Sequence, residues 1–197
     1  MPERVKEFHS IMPIANIASV LSHGILSHKR SEKFPHDDIS MSDVQKRRDE
    51  KQVPNGLKLH DYANLYFCAR NPMMYMKVSE GNAENLCVLK IGTAVSKKDG
   101  VVFTDQNAAS DYVRFLSHNE VKSSINFDWV FAEYWTDDDP IEKMRKKSAK
   151  CAEILVPHEI RPEFIRGAYV VNQAAKDKLK KSGFTLPIVI ESRWFFR

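Results

Sequence analysis

Apolar positions fall in short runs along this chain, and the period of those runs changes repeatedly. Ile17, Val20 and Leu21 form the first helical stripe, with Asn16 placed to cap it and Gly24 to end it in a left-handed conformation. Ile25 and Leu26 then lead into a polar stretch from Ser27 to Asp43, long enough that a compact domain would keep it for function or leave it mobile. Asp43 to Glu50 predicts a short helix capped by Asp43. The aromatic run Asn64 to Cys68 predicts a strand, and Asn71-Pro72, a good cap followed by proline, starts another helix. Leu86 to Ile91 and Val101 to Thr104 predict strands joined as a hairpin through Lys97-Lys98-Asp99-Gly100. Ala108 to Leu116 predicts a helix, Phe127 to Trp135 an extended segment, and Pro140 to Lys150 a charged helix. The rest predicts a strand Glu153 to Val156 closed by Pro157, a strand Ala168 to Val171, a helix Gln173 to Lys181 closed by Gly183, and a strand Pro187 to Ile190.

Short strands interspersed with helices, without strict alternation, indicate the α+β class. No repeat or low-complexity linker divides the chain, so residues 1–197 are expected to form one domain, long enough for a real core. There is no GxGxxG motif and no P-loop, so a nucleotide would have to be held without a Rossmann or Walker cradle. No apolar run approaches the roughly 20 residues of a membrane span, and the charged start Met1 to Phe8 has no apolar signal core. A cytoplasmic protein without membrane attachment is the expectation. Cys68, Cys87 and Cys151 are odd in number and widely spaced, and the seven histidines form no ligand pair. Neither a disulfide framework nor a metal site is expected.

Charge adds local information. The net charge of +4 is compatible with an anionic partner without requiring one. Lys46, Arg47 and Arg48 form one basic cluster; Lys143, Arg145, Lys146, Lys147 and Lys150 form a second, after Asp137-Asp138-Asp139. Each is open to a plain reading as a solvated face. Tyr134 and Trp135 precede the second cluster, however, and aromatic rings followed by cations suit single-stranded nucleic acid. The three aspartates oppose a phosphate backbone and fit better as a cap for the following helix.

Several segments together resemble the DarT family. They are Phe8-His9-Ser10-Ile11-Met12-Pro13-Ile14-Ala15-Asn16-Ile17, Val44-Gln45-Lys46-Arg47-Arg48 with Val53-Pro54, Leu59-His60-Asp61-Tyr62-Ala63-Asn64-Leu65-Tyr66-Phe67 with Arg70-Asn71-Pro72-Met73-Met74-Tyr75, Thr104-Asp105-Gln106-Asn107-Ala108-Ala109, and Ala152-Glu153-Ile154-Leu155-Val156. The resemblance implies an ADP-ribosyltransferase-like fold: two small sheets with flanking helices and an NAD cleft between them. It implies a toxin that transfers ADP-ribose from NAD, as co-substrate and without a metal, to a base in single-stranded DNA, thymine first and guanine second. It makes Glu153 the catalytic carboxylate and Arg48 the essential arginine, with Arg47 as the adjacent candidate. It assigns His9 to the adenosine-side ribose and extends the NAD site to Ser10, Asn16 (a helix cap on the plain reading), Tyr66 and Arg70. The DNA side would comprise Tyr75, Trp135, Lys143, Arg145, Lys146 and Lys147. It also implies restraint by a macrodomain antitoxin of the DarG type; the chain itself is expected to be a monomer. The competing readings are an ADP-ribosyltransferase acting on RNA or protein, and a non-enzymatic nucleic-acid-binding module.

Overall fold

Eight strands share one sheet, in the order β10-β9-β4-β1-β3-β7-β5-β6, in a computed structural model that describes residues 1–197. The strands are β1 (Glu7–Pro13), β2 (Ile25–Leu26), β3 (Tyr62–Tyr66), β4 (Leu86–Gly92), β5 (Val102–Thr104), β6 (Phe115–Leu116), β7 (Glu153–Pro157), β8 (Glu159–Ile160), β9 (Ile165–Val170) and β10 (Ile188–Ile190). The helices are α1 (Ile17–His23), α2 (His28–Ser31), α3 (Ser42–Asp49), α4 (Pro72–Ser79), α5 (Val121–Ser124), α6 (Phe127–Val130), α7 (Pro140–Ala149) and α8 (Gln173–Lys181). β2 and β8 form a separate two-stranded ribbon.

The large sheet is two four-stranded halves. β1 pairs with β4, and β3 with β7, over the whole length of each strand. Between β1 and β3 a single pair, His9 opposite Tyr66, joins the halves. Past that pair the two strands diverge. The two small sheets expected from the resemblance are these halves of one sheet.

Side chains supply the cohesion that the backbone ladder lacks at this seam. Phe8 on β1 meets Phe67 edge-on at 5.6 Å, and Phe67 lies 6.2 Å from Phe103 on β5. All three rings are fully buried. Aromatic contacts of this kind contribute about 0.5–1.5 kcal/mol each beyond area burial. A smaller apolar cluster of Val53, Leu59, Tyr62, Ala108 and Leu155 packs on the second half.

Local signals place several elements as expected. Asn71 caps α4 by accepting the Met74 N–H at 3.0 Å, a contact worth about 1 kcal/mol. Asp139 caps α7 by accepting the Ile141 N–H at 2.8 Å. Gly24 ends α1 at φ 81°, and a Cβ there would fall 2.3 Å from the Ile160 carbonyl oxygen, so only glycine fits.

Other expectations are corrected. The first element is β1, not a helix; its polar His9 and Ser10 are both buried, so no alternation marks it as a strand. Asn16 does not cap α1, because a short 3-10 turn, Ile14–Asn16, precedes the helix and leaves Asn16 itself helical. Asp43 does not cap α3; Met41 occupies that position without a side-chain bond. β4 and β5 do not form a hairpin, since the 3-10 turn Thr93–Lys97 carries the chain from one half-sheet to the other. Residues 108–116 are a turn leading to the two-residue β6, not a helix, and residues 127–130 are helical rather than extended. Lys150 does not join a solvated basic face. It is fully buried, and its ammonium donates to the carbonyls of Val130, at 3.1 Å, and Ala132.

Candidate active site

The register at the seam puts three side chains in one row. His9 lies opposite Tyr66, and Tyr66 opposite Glu153, so the three share one face across β1, β3 and β7. α3 packs over this row and delivers Arg48. The Arg48 Nη1 donates to both carboxylate oxygens of Glu153, at 3.3 and 3.1 Å. The Ala108 N–H donates to Oε1 at 3.0 Å. Glu153 is fully buried and Arg48 is 6% exposed, a paired burial that neither charge would tolerate alone. The Tyr66 hydroxyl donates to the Met73 sulfur at 3.4 Å, and burial together with the nearby Glu153 charge pushes its pKa well up, keeping the phenol neutral. Burial and the same carboxylate push the Cys151 thiol up to about 12.

A cavity of about 250 Å³ opens where β1 and β3 diverge. Ser10, Asn16, Asn64, Tyr66 and Arg48 line it, along with Asn107 from the turn after β5. The polar stretch 27–43 closes its far side through His28, His36, Asp38 and Met41. Asn16 holds that stretch in place by donating to the Asp37 carbonyl at 2.8 Å and accepting the Asp37 N–H at 2.9 Å. The long polar segment is therefore a cavity wall, tied down through Asn16.

The remaining expected residues do not line this cavity. Arg47 is exposed and bonded to its own helix, through the Asp43 carbonyl at 3.3 Å. His9 is buried beneath Trp194, ring centroids 5.0 Å apart, with Nδ1 3.2 Å from the Phe67 carbonyl and Nε2 3.4 Å from the Glu7 carboxylate. Arg70 donates to the carbonyls of Glu133, at 3.0 Å, and Arg193, and stacks 4.1 Å from the Phe196 ring. Tyr75 and Trp135 meet edge-on at 5.8 Å, and Phe196 completes an aromatic trio with them. On α7, Lys143 and Lys147 are exposed, Arg145 pairs with Glu142 at 2.7 Å, and Lys146 pairs with Asp137 at 2.5 Å. Sequence reasoning missed the roles of Thr104, Asn107 and Ala108 around the carboxylate, although the Thr104–Ala109 motif contains all three.

A buried carboxylate thus lies next to Arg48 and Tyr66, which line a cavity in a split sheet, and the fold that carries it is similar to solved structures. The structure "Thermus sp. 2.9 DarT in complex with ADP-ribosylated ssDNA" superposes with TM-score 0.84 at 27% identity, covering 98% of this chain and 97% of that one. The same protein in complex with carba-NAD+ gives TM-score 0.81 at 25% identity, covering 99% and 100%. Residues 9–196 match the family described as ssDNA thymidine ADP-ribosyltransferase, DarT, and the chain belongs to that family. Among relatives, the DNA ADP-ribosyl transferase of Thermus sp. strain 2.9 is 32% identical over 76% of this chain and 74% of its own length. A DNA ADP-ribosyl transferase–DNA ADP-ribosyl glycohydrolase fusion protein of Thermosipho africanus is 31% identical over 98% of this chain, which spans about half the length of that relative.

Proposed function

We propose that residues 1–197 act as a single NAD-dependent ADP-ribosyltransferase domain that modifies thymine in single-stranded DNA and releases nicotinamide. The observation that carries this reading is Glu153, held fully buried by Arg48 and the Ala108 N–H, next to Arg48 and Tyr66, which line the cavity. Family membership and the ligands named for the Thermus structures support it.

The chemistry divides among these groups. Breaking the bond between nicotinamide and ribose C1′ sends the electron pair to nicotinamide and leaves positive charge developing on the ribose. A carboxylate beside that centre stabilises the charge. Thymine within a nucleoside has one ring N–H, at N3. That nitrogen forms the new bond to C1′ and gives its proton to a base, a task open to the same carboxylate. Arg48 is the arginine of the site in this reading, since it lines the cavity and Arg47 does not. Its planar guanidinium can exchange the Glu153 oxygens for substrate acceptors, uncovering the carboxylate as substrate enters. Ser10, Asn16 and Tyr66 line the NAD cavity. His9, at the seam opposite Tyr66, is assigned to the adenosine-side ribose and Arg70 to the NAD phosphates, each exchanging its present protein partner for substrate. The Tyr75–Trp135–Phe196 surface and the free cations of α7 receive the strand, bases on rings and phosphates on cations.

A protein of this activity requires restraint, and the glycohydrolase fused to the transferase in the Thermosipho relative supports a DarG-type antitoxin that reverses the modification as its partner. No helix is long and apolar enough to cross a membrane.

The test is incubation with NAD and oligonucleotides that differ only in containing thymine, with RNA and protein acceptors alongside. An adduct of one ADP-ribose mass on thymine-containing DNA is expected. Transfer only to RNA or protein, or strand binding without nicotinamide release, would overturn this reading in favour of the two competing ones.

A further inference from the structure

Thr104 ends β5 beside Glu153 without lining the cavity, and its hydroxyl is fully committed. It accepts the Glu153 backbone N–H at 3.1 Å and donates to the Gln106 carbonyl at 2.6 Å. Thr104 is fully buried. In the β5–β7 register Val102 faces Leu155 and Phe103 faces Ile154, so Thr104 is next in line opposite Glu153. There the side chain, not the backbone carbonyl, satisfies the Glu153 N–H.

One hydroxyl therefore fixes two things. It sets where the catalytic strand begins, and it folds the chain back at Gln106. The fold-back brings Ala108, anchored in the small apolar cluster, to donate its N–H to Glu153 Oε1. Asn107 accepts the Ala109 N–H at 2.8 Å and keeps the turn tight. Oε1 is consequently held from behind by a backbone donor, leaving Oε2 as the oxygen nearer to Arg48. A hydroxyl has one proton to donate, and a single group that both accepts and donates is what this junction requires. Valine matches its shape and supplies neither function.

We propose that Thr104 is a positioning residue for ADP-ribose transfer, locking the Glu153 carboxylate through the 104–108 turn without touching NAD. This inference rests on the transferase reading above. Displacement of a reacting group by about 1 Å costs on the order of 100-fold in rate.

The experiment compares Thr104→Val and Thr104→Ser with the wild-type protein. For Thr104→Val, kcat for transfer to a thymine-containing oligonucleotide should fall about 10- to 100-fold, with KM for NAD within about 3-fold of wild type. Thr104→Ser should recover most of the loss. Equal activity of the valine variant, or loss shared equally by the serine variant, overturns the proposal. A parallel loss in kcat and rise in KM reports general disruption and also overturns it. The second readout needs no turnover: in Thr104→Val the amide NMR signals of Ala108 and Glu153 should shift while those of α8 stay put. If no protein in the series transfers ADP-ribose, the functional reading fails; unmoved Ala108 and Glu153 amides would refute the positioning role independently.

Discussion

Arg48 on α3 and the cations of α7 carry the same charge in opposite settings. Arg48 is almost fully covered, and both of its acceptor contacts are to one buried carboxylate. On α7, Lys143 and Lys147 face solvent, while Arg145 and Lys146 pair with acids on the surface. Buried charges have no water to fall back on, so removing one partner strands the other. Exposed pairs are screened and contribute about 0–1 kcal/mol. The same positive charge is thus structural and chemical in one region, and purely electrostatic in the other.

The sharpest way to break this contrast is to remove Arg48. Arg48→Ala should lower unfolding free energy by about 3 kcal/mol, because Glu153 loses its buried counter-charge. It should also abolish measurable transfer, and Arg48→Lys should not restore it, since a compact ammonium lacks the planar, paired N–H donors that a guanidinium can turn to substrate while still holding Glu153. Denaturant unfolding with a transfer assay checks both halves. Lys150 offers the next largest effect and sharpens the contrast within a single helix end. Lys150→Ala leaves the buried Val130 carbonyl and the half-buried Ala132 carbonyl without this donor and should cost about 2 kcal/mol by the same unfolding measurement. Burial also lowers the pKa of this lysine.

The exposed cations should behave differently. Replacing Lys143, Arg145 and Lys147 together with alanine should change stability by less than about 0.5 kcal/mol each. The same change should weaken single-stranded DNA binding and flatten its salt dependence by about 0.7 for each phosphate left without its cation, measured by fluorescence anisotropy across a salt series. Retention of the full slope would remove α7 from the DNA surface.

The smallest effect concerns pH. His60 bonds Gln45 of α3 at 3.0 Å, and burial, then the charge of His28, lower its pKa below 6.5. The unfolded chain therefore binds a proton more readily than the folded one between that lowered value and 6.5. Stability present above pH 6.5 is lost as pH falls through this window. Melting curves between pH 7.5 and 5.5 should show a drop of up to about 3 °C, reduced in His60→Gln.

Much of this was legible in the sequence, for identifiable reasons. Asn71-Pro72, the Asp139 cap and Gly24 carry their own stereochemical signals, and the elements they bound fell where expected. The resemblance pointed to Glu153 and Arg48 over 100 residues apart, and the structure joins them at 3.1 Å. β1 was not legible because its buried polar residues, His9 and Ser10, break the pattern of a strand. The false hairpin arose because a good turn sequence followed β4 while tertiary pairing sent β4 and β5 to opposite halves. Lys150 looked like its neighbours on α7; only the carbonyls of Val130 and Ala132, 18 or more residues away, reveal why it turns inward. The polar stretch 27–43 could be marked as unusual, but its role depended on the Asn16–Asp37 clasp, which has no signature in local sequence.

The carboxylate of Glu153, held by Arg48 and Ala108, stands at the centre of the proposed transfer. Single-turnover transfer to a thymine-containing oligonucleotide by Glu153→Gln, with NAD binding measured on the same sample, tests that role most directly. A loss of about 1,000-fold in rate with NAD affinity largely retained is the expected result. A Glu153→Gln protein that keeps more than about a tenth of the wild-type rate would contradict it.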